Sequence, residues 1–89
     1  MPAILIKPDG SQTSVAPANG KNFQLEELYK LLECQWVEVV WSLREKGKIM
    51  IVDEEGKLKS SPVFNQVASS LSGHEIVGNA IVCDKSMFK

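Results

Sequence analysis

Apolar residues along this chain fall in short runs, and the period of each run predicts an element. Ala3-Ile4-Leu5-Ile6 is continuously apolar and is followed by Pro8-Asp9-Gly10. Proline presets φ and glycine supplies a positive φ, so the chain turns there, and Gln12 to Val15 returns as the second strand of a hairpin. Pro17 to Lys21 is a loop containing Asn19-Gly20, and Asn22 stands where a helix N-cap is wanted. Leu25, Leu28, Leu31 and Leu32 then share one helical face, with Glu26, Glu27, Lys30 and Glu33 on the other. Glu26 and Lys30 are an i,i+4 pair in the favourable order.

The period changes to two at Trp36-Val37-Glu38-Val39-Val40-Trp41, a strand. The polar stretch from Ser42 to Gly47 makes a hairpin loop, and Lys48 to Asp53 is the return strand. Its continuous Ile49-Met50-Ile51-Val52 is apolar on both faces, which points to a central strand or to a sheet whose second face is also covered. After the turn at Asp53 to Gly56, Lys57-Leu58-Lys59 can form a short further strand. Ser61 as N-cap and Pro62 at the first helical position predict a second helix carrying Phe64, Val67, Ala68 and Leu71, stopped by Gly73. Glu75 to Cys83 is the last strand, with a bulge at Gly78-Asn79, and Asp84 to Lys89 is a short tail.

The order is β-β-α-β-β-(β)-α-β. It predicts one α+β domain over residues 1–89. The sheet is mainly antiparallel, of about five to six strands, with two helices packed on one face. A chain of 89 residues buries roughly 60–65% of the surface its unfolded form exposes. That thin margin, with the two-sided apolar strands, makes a homodimer a candidate state. A net charge of −1 disfavours binding to nucleic acid by phosphate neutralisation. Cys34 and Cys83 read as reduced thiols, which fits a cytoplasmic protein. No apolar run approaches the ~20 residues that span a bilayer.

Little of the chain reads as chemistry. Asp53, Glu54 and Glu55 are adjacent, so on a strand they point to opposite faces and cannot converge on a metal. Gly56-Lys57 lacks the glycine and the hydroxyl of a phosphate loop, whose positions are held by Ile51 and Leu58. His74 reads as a turn residue before the last strand. No catalytic, cofactor-binding or metal-binding residue is assigned. An enzyme would require a deep pocket around His74, Asp84 or Cys83. Four residues are candidates for interaction: Trp36, then Arg44, Asn65 and Asn79. Trp36 and Trp41 have opposite parity on their strand, so they face opposite sides of the sheet. Tryptophan is enriched where interfaces carry their energy. For Asn65 and Asn79 the competing expectation is a side chain bonded to nearby backbone.

Several stretches together resemble a known family. They are Ile4-Leu5-Ile6-Lys7-Pro8-Asp9-Gly10, Trp36-Val37-Glu38-Val39-Val40, Val52-Asp53-Glu54-Glu55-Gly56-Lys57-Leu58-Lys59, Pro62 with Asn65 and Ala68, and Gly73 before Ile76-Val77-Gly78-Asn79-Ala80-Ile81-Val82. The family comprises small proteins of unknown function found in bacteria, plasmids and phages. Where many relatives have a glycine-rich turn before the Glu-Val-Val strand, this chain has Cys34-Gln35-Trp36, which sets Trp36 apart from the pattern. The resemblance implies a mobile-element accessory protein and supplies no catalytic residues. The expectation is a small non-enzymatic binding or interaction module for a protein or a small ligand, with no membrane and no cofactor. The alternative is a nucleic-acid-binding sheet face carrying Trp36, with Arg44, Lys46 and Lys48 on the adjoining loop.

Overall fold

Both hairpins form in the computed structural model, which describes residues 3–40, 47–54 and 63–88. β1 (Ala3–Ile6) pairs antiparallel with β2 (Gln12–Val15), with Ile6 opposite Gln12. Their turn is held by Gly10 at φ 92°, whose N–H donates to the Lys7 carbonyl, and by Asp9, whose carboxylate accepts from the Ser11 N–H at 2.8 Å. β3 (Val37–Val40) and β4 (Lys48–Asp53) pair antiparallel, and β5 (Ala80–Asp84) lies between β4 and β1. The sheet order is β2-β1-β5-β4-β3. The two helices are α1 (Leu25–Leu32) and α2 (Gln66–Ser72).

The helices do not share a face, which corrects the expectation from the sequence. Cross-strand register puts Leu5, Ile81, Ile51 and Val39 in one row, and Ile4, Val82, Met50 and Val40 in the next. Successive strand residues point to opposite faces. The first face packs Ile49, Ile51, Ile81 and Cys83 against Leu28 and Leu32 of α1. The second packs Met50, Val52 and Ala80 against Ala68 of α2 and against Ile76. The continuous apolar run of β4 reflects this: it is buried between two helices, one on each side.

Each helix also starts later than its sequence signals suggest. α1 is capped at Gln24, whose backbone N–H donates to the Glu27 carboxylate at 3.0 Å; the second oxygen of that carboxylate takes the Ala18 N–H at 2.9 Å. Asn22 instead bonds Asn19, because the next residue, Phe23, is buried in the core and bridges Phe88. α2 is capped by Asn65, whose side chain accepts from the Ala68 N–H. Ser61 and Pro62, the expected start, lie outside the described residues, as does the short strand expected at Lys57-Leu58-Lys59. The buried positions of α2 are Ala68 and Ser72, while Phe64 and Leu71 are exposed. Small side chains face the sheet, so the helix sits close and its larger residues turn outward. Gly73 ends α2 at φ 74°, as its place in the sequence predicts.

The last strand is shorter than Glu75–Cys83. Gly78 has φ 78°, which turns the chain before β5 begins. Residues 76 to 78 pair with the segment before α2: the Asn65 N–H donates to Ile76, and the Gly78 N–H donates to Val63. The expected tail is also structured. A 3₁₀ turn at Lys85–Met87 brings Phe88 beside Phe23, whose N–H donates to the Met87 carbonyl at 2.8 Å. Met87 and Phe88 pack against the α1-side core.

Candidate functional site

Of the candidate interaction residues, only Trp36 stands free to meet a partner among the described residues. α1 ends at Glu33, which takes the left-handed conformation (φ 54°), and the Cys34 N–H closes the turn on the Tyr29 carbonyl. The chain then leaves the helix and extends into the edge strand β3. The ladder runs one bond past that strand: the Glu54 N–H donates to the Trp36 carbonyl at 3.0 Å. The α2-side core is built over β4 and β5, so an edge residue lies at its margin. Trp36 is 57% exposed there.

Asn65 is fully buried. Its amide donates to the Ile6 carbonyl at 3.0 Å and to the Gly78 carbonyl at 2.8 Å, while its oxygen caps α2. Asn79 is buried as well, donating to the Leu31 carbonyl at 3.0 Å and to the Glu33 carboxylate at 3.2 Å, and so ties the start of β5 to the end of α1. Both asparagines hold backbone, as the competing expectation has it. Arg44 lies outside the described residues, and so does Lys46. Lys48 pairs with Asp84, its cross-strand neighbour, at 2.6 Å. That bond holds the Asp84 carboxyl below its ordinary value.

Glu54, bonded to the Trp36 carbonyl, lines a cleft of about 490 Å³. Val40, Val52, Ile76 and Val77 give it an apolar lining, and Glu38, Asp53, Glu54, His74 and Glu75 give it polar groups. The described residues that line it include no lysine or arginine. Asp53 is buried and Glu54 exposed, the divergence that adjacent strand positions dictate. No group of three metal-ligating side chains converges among the described residues. On the far side of the cleft, Val77 bridges Phe64, which is 51% exposed beside an exposed Val63. The site is therefore an open, acidic, partly apolar surface, and two exposed aromatic residues are tied to its lining: Trp36 to Glu54 and Phe64 to Val77.

Cys83 belongs to the opposite face. Burial, with a further push from Asp84 and a counter-pull from Lys48, drives its thiol up to about 11. Cys34 and Cys83 are not in a disulfide.

The sequence reading weighed Glu54 only as a metal ligand, and did not single out Glu38, Val77 or Phe64 as parts of a site. Glu38 carried a signal, since it shares its strand face with Trp36. Val77 and Phe64 carried none, because their pairing depends on the turn at Gly78. Among the described residues no helix is long and apolar enough to cross a membrane. Neither the curated proteins nor the solved structures include a match to the chain. A family model described as a domain of unknown function (DUF3846) matches residues 1–87, so the chain belongs to that family.

Proposed function

We propose that this protein is a binding module that engages a partner protein through the β3–β4 end of its sheet, and that it acts by occupying that partner and not by catalysis. The observation that carries this reading is the exposed Trp36, whose backbone partner Glu54 lines an open, partly apolar cleft. Large aromatic residues supply much of the energy at protein interfaces. Phe64 and Val63 extend the apolar surface beyond the far side of the cleft. The non-catalytic part is supported by Cys83, whose buried, neutral thiol is a poor nucleophile.

The carboxylates around the cleft favour a protein over nucleic acid, since a phosphate backbone calls for cations facing it. Lys48, one of the lysines the nucleic-acid reading would need, is engaged with Asp84. In this reading the protein works in the reducing cytoplasm as an accessory protein of a bacterial mobile element or phage, where Cys34 and Cys83 stay reduced.

The test compares partner capture by the wild-type chain, by Trp36→Ser, and by Lys21→Ala in the loop before α1. The captured protein is purified and its affinity for each chain measured by calorimetry. Trp36→Ser is expected to weaken binding about ten-fold or more, the scale of an interface hot spot, while Lys21→Ala leaves it unchanged. Equal affinity of wild type and Trp36→Ser overturns the reading.

A further inference from the structure

We infer that the Trp36 corner is a subsite for one cationic side chain of the partner, an arginine guanidinium that stacks on the indole while Glu38 and Glu54 draw its charge. This rests on the binding-module reading and names what the module recognises.

The geometry comes from strand register. Glu54 stands directly across the ladder from Trp36, joined to it by the 3.0 Å backbone bond. Glu38 lies two residues further along β3 and opposite Val52. Alternation puts Glu38 and Val52 on one face of the sheet, and the same alternation carried one residue past the end of each strand assigns Trp36 and Glu54 to that face. That face is the α2 side, where Val52 is part of the buried cluster. Trp36, Glu38 and Glu54 are all exposed. Among the described residues no lysine or arginine forms an ion pair with either carboxylate.

An indole face attracts cations through its quadrupole, and carboxylates close by add to that attraction. Guanidinium suits this combination better than ammonium. It is flat, it sheds water more readily, and its fork can bond a carboxylate edge-on while its face lies on an aromatic ring. An anionic or purely apolar anchor would leave two carboxylates facing it without compensation. The apolar side of the same partner has its own place along Val77 and Phe64.

The test is selection of a random peptide library on the immobilised wild-type chain, followed by fluorescence anisotropy with the selected peptides. Selected peptides are expected to carry arginine next to aliphatic or aromatic residues. Replacing that arginine by citrulline, its neutral isostere, is expected to weaken binding about ten-fold. The double variant Glu38→Gln with Glu54→Gln should lose as much against the arginine peptide and nothing further against the citrulline peptide. Peptides that depend on Trp36 but bind equally with citrulline overturn the cation subsite and leave the docking surface standing. Peptides indifferent to Trp36→Ser, or a library that yields no binder, overturn both.

Discussion

Asn65 Nδ2 donates to the Gly78 carbonyl at 2.8 Å, and this bond joins the start of α2 to the turn that opens β5. The same amide reaches the Ile6 carbonyl at the end of β1, so one side chain fastens a helix to two parts of the sheet region. Asn65→Ala removes both donors and the helix cap. It leaves two carbonyls, one buried and one half-buried, without that donor. The expected loss is about 2–4 kcal/mol in denaturant unfolding, from a lost cap plus unsatisfied buried groups. Asn65→Asp tests the division of labour, since it keeps the cap acceptor and loses the amide donors. It should also destabilise, because a buried carboxylate would then face two carbonyl oxygens. A loss below about 0.5 kcal/mol for Asn65→Ala, the range of an ordinary surface change, would contradict this account.

Glu27 makes stability depend on pH. Its carboxylate accepts from the Gln24 and Ala18 N–H groups, and these bonds lower its pKa from the ordinary 4.5. A depressed pKa means that the folded state binds the proton less tightly than the unfolded chain. The stabilisation is therefore present above pH 4.5 and is lost as pH falls through the lower, folded value. Thermal melts of wild type and Glu27→Ala should differ most near neutral pH and converge in acid. A constant gap across that range would show that the carboxylate's charge is irrelevant.

The two thiols should react at different rates. Cys34 is only partly buried, whereas Cys83 lies in the α1-side core with its pKa raised to about 11. Thiolate, not thiol, attacks a disulfide reagent. At pH 8 an aromatic disulfide reagent should modify Cys34 quickly and Cys83 only on unfolding, and peptide mapping identifies which has reacted. Rapid modification of Cys83 in the folded protein would contradict its burial.

The last residues should matter to stability. Phe88 bridges Phe23, and both lie on the α1-side core. Phe88→Ser removes a half-buried ring and exposes Phe23, at an expected cost of about 1–3 kcal/mol. Denaturant midpoints of wild type and variant measure it. An unchanged midpoint would make this segment the loose tail that its polar start at Asp84 and Lys85 suggests.

Those elements were legible wherever the hydrophobic period was local. The two hairpins, the Leu28, Leu31 and Leu32 face of α1 and the glycine stop at Gly73 follow from spacing within a few residues, while Leu25, expected on the same face, is exposed at the first turn. What could not be read depends on pairing between distant parts. Phe64, Val67, Ala68 and Leu71 have the spacing of a buried stripe, yet Ala68 and Ser72 face the sheet, because close approach selects small side chains. The strand expected from Glu75 breaks at Gly78, because residues 76 to 78 pair with the stretch before α2. Asn65 stands out in the sequence but for a reason opposite to recognition: it is fully buried and cannot touch a partner. Parity alone did not single out Trp36: each face of the sheet carries a helix, and Trp36 is exposed because it precedes the edge strand β3 at the margin of the α2-side core.

Trp36→Ser separates folding from binding. The indole is 57% exposed, and among the described residues its backbone carbonyl, not its side chain, makes the tie to Glu54. The substitution keeps that carbonyl and removes an exposed ring from the margin of the α2-side core. Surface changes away from buried partners usually shift stability within about 0.5 kcal/mol. The unfolding midpoint of Trp36→Ser should therefore stay close to that of wild type while partner affinity falls. The fluorescence difference between wild type and Trp36→Phe should carry the red-shifted emission of a hydrated indole, and iodide should quench that component first. Binding of a partner should shift it to the blue as water leaves the ring. A Trp36→Ser chain that unfolds several kcal/mol more easily would mean the indole is a core residue, and the surface reading would fall with it.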